Sequence, residues 1–210
     1  GNLEYMTHDG SSWSTPVSID STGSVGYYSS LAIDSNDNLH VTYYDSTNDN
    51  LEYMTHDGSS WSTPVTLDST DDVGYQSSLA IDSNDNLHVT YRDNTNDNLE
   101  YMGEDGSSWS TPVSLDSTDD VGYESSLAID SNDNLHVTYY DLTNGNLEYM
   151  TPDYDGDNVA DFMDACPYNY GASTEDRIGC IDTDGDGWSD LGDDFHNKAT
   201  QWKDSDGDGL

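Results

Sequence analysis

Between residues 87 and 93 the chain alternates. Leu87, Val89 and Tyr91 fall on one face of an extended segment, and His88, Thr90 and Arg92 fall on the other. The same period of two runs through LEYMT (51–55), WSTPVTLD (61–68), SSLAID (77–82) and LHVTYRD (87–93), and predicts four short strands. The residues between them are turn formers: Asp57-Gly58, Asp85-Asn86 and Asp97-Asn98 tolerate the positive φ of tight hairpin loops. Helix start and stop signals are absent, so this part of the chain reads as all-β.

The pattern is also an internal repeat. NLEYM recurs with Leu3, Leu51, Leu99 and Leu147 spaced by 48 residues, and 1–144 falls into three copies followed by a partial fourth. Copies 49–96 and 97–144 differ only at Thr55/Gly103, His56/Glu104, Thr66/Ser114, Gln76/Glu124, Arg92/Tyr140 and Asn94/Leu142, which points to recent duplication of one structural unit. Four antiparallel strands every 40 to 50 residues is the signature of propeller blades. The stretches SSLAIDSNDNLHVTYYD and NLEYMTHDGSSWSTPV resemble the blades of secreted propellers related to sialidase-type and Asp-box repeats, and more loosely those of fungal fucose-binding lectins. The resemblance covers residues 1 to about 151 and implies propeller-type blades of four antiparallel strands. Three blades and a part are too few for a closed ring of four to eight. The expectation is therefore that the polypeptide continues upstream, or that several copies assemble, the former being favoured.

At Thr151-Pro152 the Tyr-rich alternation gives way to DYDGDNVADFMDACP, which divides the chain into a blade region, 1–151, and a second segment, 152–210. In this segment Asp153, Asp155, Asp157, Asp161 and Asp164, and again Asp182, Asp184, Asp186, Asp190 and Asp193, occupy positions 1, 3, 5, 9 and 12 of a twelve-residue loop. Asp204, Asp206 and Asp208 open a third. Calcium takes converging oxygen ligands at about 2.3–2.6 Å, and odd positions of a tight loop aim carboxylates inward. Gly187 at position 6 permits the sharp turn, and Asn158 stands there in the first loop. Position 12 is Asp rather than the bidentate Glu of an EF-hand, and no amphipathic helix flanks either loop. The segment resembles the thrombospondin type 3 repeat, D-x-D-x-D-G-x-x-D-x-x-D-x-C-P. DTDGDGWSDLGDDF follows that pattern until His196, where Cys-Pro is missing. The resemblance implies an irregular, calcium-wrapped segment with Ca2+ held by the thirteen matched aspartates.

Charge adds a constraint. The chain carries 43 Asp plus Glu against four Lys plus Arg, a formal net charge of −39, which strains any compact state by self-repulsion unless cations offset it. Nucleic acid is excluded as a partner because no basic stripe exists, and anionic membrane surfaces are disfavoured for the same reason. No apolar run approaches the length of a membrane span and no signal peptide is visible. Gly1 in place of Met suggests a processed or excerpted chain. Such a charge with low hydrophobicity is the usual mark of disorder, but sixteen Tyr and five Trp at fixed intervals argue against it here.

Cys166 and Cys180 bound CPYNYGASTEDRIGC. A redox pair would be C-x-x-C, and zinc would need more soft ligands, so a disulfide is the better reading. It implies an oxidising, extracellular setting.

His40, His88 and His136 recur at one strand position and read as packing or hydrogen bonding rather than metal ligation. Trp13, Trp61 and Trp109 read as structural, between blades, with sugar stacking as the alternative. Near-identical blades repeat the same residues rather than converging different ones, and they hold one arginine where sialidase chemistry uses several, so no enzymatic activity is expected. The function expected is an extracellular structural or adhesive surface protein, stabilised by calcium, within a filament or larger repeat protein. The alternative is a multivalent carbohydrate-binding lectin. The partners expected are other copies or further repeats of the chain, glycans or surface proteins.

Overall fold

The alternating stretches pair into antiparallel sheets. The first two strands are β1 (Leu3–Tyr5) and β2 (Val17–Asp20). Two four-stranded sets follow: β3 (Val25–Ile33), β4 (Leu39–Asp45), β5 (Asn50–His56) and β6 (Val65–Asp68), then β7 (Val73–Ile81), β8 (Leu87–Asp93), β9 (Asn98–Glu104) and β10 (Val113–Asp116). The last three are β11 (Tyr123–Ile129), β12 (Leu135–Asp141) and β13 (Asn146–Met150). They form four sheets of two, four, four and three strands, each a meander in which sequence neighbours pair. The structure, a computed structural model, describes residues 1–150, 165, 166 and 169–203, and no helix occurs among them. The chain divides into two compact units, Gly1–Tyr149 and Met150–Leu210.

The sheets are out of phase with the 48-residue copies. Each complete sheet begins on the VGYxSSLAI strand of one copy and ends on the VTLD or VSLD strand of the next, because the chain leaves the sheet between Asp68 and Val73. Two strands also differ in extent from the sequence expectation. β7 starts at Val73 rather than Ser77, since Gly74 (φ 94°) and Gln76 (φ 49°) absorb two irregularities and let pairing with β8 continue from Val73↔Asp93. β6 starts only at Val65, because Trp61 makes no more than an isolated bridge with His56 and Pro64 has no N–H to donate.

The core lies between sheets. Leu51, Val73, Leu79, Leu87, Val89, Tyr91 and Met102 form one buried cluster, and Leu3, Val25, Val41, Tyr43 and Met54 another. Leu87, Val89 and Tyr91 are buried as the alternation predicts, but Thr90 and Arg92 on the opposite face are buried too, since β8 is covered on both sides. Gly74 shows how closely the sheets approach: a Cβ there would lie 2.8 Å from the Leu51 Cα.

Polar contacts repeat at each boundary. The Leu79 N–H donates to Ser30 Oγ and the Leu127 N–H to Ser78 Oγ, both at 2.9 Å. In the DSNDN turns the first Asp closes the turn on itself, Asp34 accepting from the N–H groups of Asn36 and Asn38. The fourth residue, in the left-handed region, serves the neighbouring sheet: Ser35 donates N–H and Oγ–H to Asp85, and Ser83 does the same to Asp133. Trp61 packs edge-on against Tyr5 and Trp109 against Tyr53, the structural role expected of them. His40, His88 and His136 face Tyr53, Tyr101 and Tyr149 through Nδ1, which agrees with a hydrogen-bonding role.

Candidate functional site

In the second unit the tight DTDGDG turn follows from Gly185 (φ 79°) and Gly187 (φ 98°), which adopt the left-handed region at little cost. Asp182 accepts from the N–H groups of Gly185 and Gly187, and this closes the loop so that Asp182, Asp184 and Asp186 each bring a carboxylate oxygen within 4.8 Å of the others. Asp184 Oδ2 is buried with no hydrogen-bond partner. A buried carboxylate oxygen without a donor is costly unless a cation stands in for one. The donor set is all hard oxygen, which suits Ca2+ rather than a soft metal.

Asp190 and Asp193 lie outside that cluster. The Asp190 carboxylate accepts from the Oγ1–H and N–H of Thr183, which hold it below its ordinary range. Asp193 is buried and accepts from the Phe195 N–H at 2.6 Å. Around the loop, Gly187 O accepts from the N–H groups of Thr174 and Glu175, and Trp188 stacks on Trp202 at 4.1 Å. Cys166 and Cys180 are joined in a disulfide. Asp153, Asp155, Asp157, Asp161 and Asp164 and Asp204, Asp206 and Asp208 lie outside the described residues.

The first unit holds a second cluster that the sequence reading did not single out. Tyr44, at the end of β4, reaches across the sheet boundary and donates to Asp72 at 2.8 Å, with Asp49 Oδ1 at 2.9 Å and the Tyr75 hydroxyl at 3.0 Å. The rings of Tyr44 and Tyr75 lie 4.3 Å apart, and the exposed Tyr28 ring lies 5.5 Å from Tyr75. Burial, then the hydroxyl of Tyr75 and the carboxylates of Asp72 and Asp49, push the Tyr44 phenol far above its ordinary value, so it stays protonated. At the next boundary Arg92 takes the place of Tyr44. It donates to Asp97, Asp120 and Val121 O and lies 4.1 Å over the Tyr123 ring. The signal for this cluster was present in the sequence. Positions 28/76/124, 44/92/140 and 46/94/142 are among the few that vary between copies, and the fold gathers them at one end of the sheets.

No family model matches the chain, and no curated protein matches it. Among solved structures, a leech intramolecular trans-sialidase is 20% identical over 71% of this chain and 27% of its own, with a TM-score of 0.50. The intramolecular trans-sialidase of Ruminococcus gnavus is 20% identical over 70% of this chain and 37% of its own, at 0.48. The Aleuria aurantia lectin is 17% identical over 70% of this chain and 50% of its own, at 0.40. The chain thus spans half or less of the length of each. The likeness is one of fold: all-β, antiparallel and β-propeller-like.

One expectation is corrected here. A chain without enzymatic activity is expected from its near-identical blades and their single arginine, yet the leech trans-sialidase that shares the fold is an enzyme. The physical reason is that chemistry on such a scaffold resides in particular side chains grafted at the sheet ends, so uniform strands do not decide it.

Proposed function

We propose that the chain belongs to an extracellular structural or adhesive protein whose second unit is held together by Ca2+. The supporting observation is the loop around Asp182, Asp184 and Asp186, where the buried Asp184 Oδ2 lacks a donor amid convergent carboxylates. These three residues would hold the ion, and the ion would supply the positive charge that a net of −39 lacks. The remaining matched aspartates, in 153–164 and 204–208, extend the same reading by resemblance to thrombospondin type 3 repeats. A disulfide between Cys166 and Cys180 supports the extracellular setting. With so little apolar side chain to bury in this unit, metal binding is coupled to its folding. Circular dichroism and Trp188 fluorescence with and without EDTA test this. The second unit should lose structure on chelation while the β-sheet signal of the first persists; no change on chelation contradicts the proposal.

A second reading, multivalent carbohydrate binding, is favoured by the cluster of Tyr28, Tyr44 and Tyr75 beside Asp72. It places one exposed aromatic ring, Tyr28, over the half-buried Tyr75 and beside polar groups at a sheet boundary, the combination that sugar recognition uses. The Aleuria aurantia lectin structure, solved with a methyl fucoside, has the same kind of fold. Glycan-array binding that is lost in Tyr28→Ala supports this reading, and an array without signal above background removes it.

A further inference from the structure

The two boundaries flanking the β7–β10 sheet are built from equivalent residues and differ in how their acids are neutralised. At the boundary with β11–β13, Asp97 and Asp120 converge on the Arg92 guanidinium, which also donates to the Tyr123 hydroxyl and lies 4.1 Å over its ring. At the boundary with β3–β6, Asp49, Asp72 and Tyr75 hold the equivalent positions, but Tyr44 stands where Arg92 does. Arg92 is the sole Lys or Arg in 1–150, so nothing in the first unit brings positive charge to Asp49 and Asp72. Hydrogens are short there as well. The Tyr44 hydroxyl oxygen lies 2.9 Å from Asp49 Oδ1, 2.8 Å from Asp72 Oδ1 and 3.0 Å from the Tyr75 oxygen, which itself lies 3.2 Å from Asp72 Oδ2. Two hydroxyl hydrogens serve these four contacts, so two of them set lone pairs against each other, an arrangement that a positive charge relieves. The two boundaries also differ in the ring they present. Tyr28, Gln76 and Glu124 share a left-handed φ of 52°, 49° and 49°, a strained backbone kept while the side chain changes. Gln76 and Glu124 bond each other, whereas the Tyr28 ring is exposed, with Asp49 exposed and Asp72 half-buried near it.

We propose that the boundary between β3–β6 and β7–β10 takes a sugar bearing a free, protonated amine, its ammonium beside Asp49 and Asp72 and its ring against Tyr28. The inference rests on the carbohydrate reading of this cluster for the sugar, and on the Arg92 boundary for the charge. There the equivalent carboxylates and tyrosine already hold a guanidinium, so this set of side chains is suited to a nitrogen cation. An ammonium group carries three donors and no acceptor, and it supplies the hydrogens that the Tyr44 and Tyr75 hydroxyls do not. The C–H face of a sugar ring packs on an exposed aromatic face, and the quadrupole of that face favours a nearby cation. An N-acetylated sugar lacks the charge. An anionic sugar is repelled by both aspartates and by the net charge of −39.

The test follows backbone amide NMR shifts of the isotope-labelled 210-residue chain with millimolar calcium. At about pH 6 and about 150 mM salt the aspartates are ionised, a sugar amine is protonated and diffuse attraction to the acidic chain is screened. Glucosamine should shift the N–H signals of Tyr28, Asp49 and Asp72 saturably, and bind about tenfold or more tightly than N-acetylglucosamine or ethylammonium. Tyr44→Arg, which supplies a guanidinium as Arg92 does, should weaken glucosamine binding about tenfold or more with the β-sheet circular dichroism unchanged. Conversely, Arg92→Tyr with Gln76→Tyr rebuilds this set at the other boundary and should bring saturable shifts to Asp97 and Asp120. Equal affinity for N-acetylglucosamine overturns the charged ligand and leaves the carbohydrate reading standing. Ethylammonium binding as tightly as glucosamine, or no binding of either sugar, removes the carbohydrate reading and this inference with it. Shifts spread over acidic residues throughout the chain and unchanged by Tyr44→Arg also overturn it, since they report attraction to the net charge alone.

Discussion

Tyr91 of β8 donates its hydroxyl hydrogen to Asp68 Oδ2 of β6 at 2.7 Å, across the boundary between two sheets. The other Asp68 oxygen accepts from the N–H and Oγ1–H of Thr70, so the buried carboxylate is satisfied only with both neighbours present. The arrangement recurs as Tyr43 with Asp20 and Tyr139 with Asp116. Tyr91→Phe keeps the ring and removes one donor from a buried charge, a loss of about 1–3 kcal/mol. Urea titration followed by tryptophan fluorescence should show that decrease, and an unchanged midpoint contradicts the role assigned to the pair.

Glycine positions separate close approach from turn strain. Gly74 (φ 94°) faces the Leu51 backbone, whereas at Gly58 (φ 85°) nothing lies within 4 Å of an added Cβ. Gly58→Ala should therefore cost about 1 kcal/mol, from backbone strain alone. Gly74→Ala must in addition push two sheets apart, and should cost about 2–4 kcal/mol. Equal thermal shifts for the two variants contradict this account of sheet packing.

Acid groups in the first unit pull stability in opposite directions with pH. Burial, with Asp45 and Asp20 nearby, raises Glu52 above its ordinary 4.5 despite the hydrogen bond from Thr66. The folded chain then keeps a proton that the unfolded chain releases, so this contribution is present at low pH and is lost as pH rises through the folded value. Asp130, held down to about 2 by Asn134 and Asn132, behaves in the reverse sense, and its contribution is lost as pH falls from about 3.8 toward 2. Glu52→Gln should raise the melting temperature by a few degrees at pH 7 and leave it unchanged at pH 4 and below. A gain that is the same at both pH values points to packing rather than ionisation.

The period of two made the strands around Leu87, Val89 and Tyr91 legible, and the Asp-Gly and Asp-Asn turns marked where they end. The frame of the sheets was not legible, because a repeat carries no mark of which strand begins a sheet. That depends on where the chain crosses to the next sheet, between Asp68 and Val73. Contacts such as Ser35 with Asp85 lie 50 residues apart and exist only once sheets stack. The acidic spacing foretold the gathering of Asp182, Asp184 and Asp186, since glycines at 185 and 187 dictate the turn locally. It said less about Asp190, whose carboxylate is taken by Thr183.

The central claim is that the 182–186 loop binds calcium, and isothermal titration of the metal-stripped chain with CaCl2 tests it most directly. The account predicts saturable binding whose stoichiometry falls by one in Asp184→Asn, with the second unit more readily unfolded. An identical isotherm for the chain and this variant, or no heat up to millimolar calcium, contradicts it.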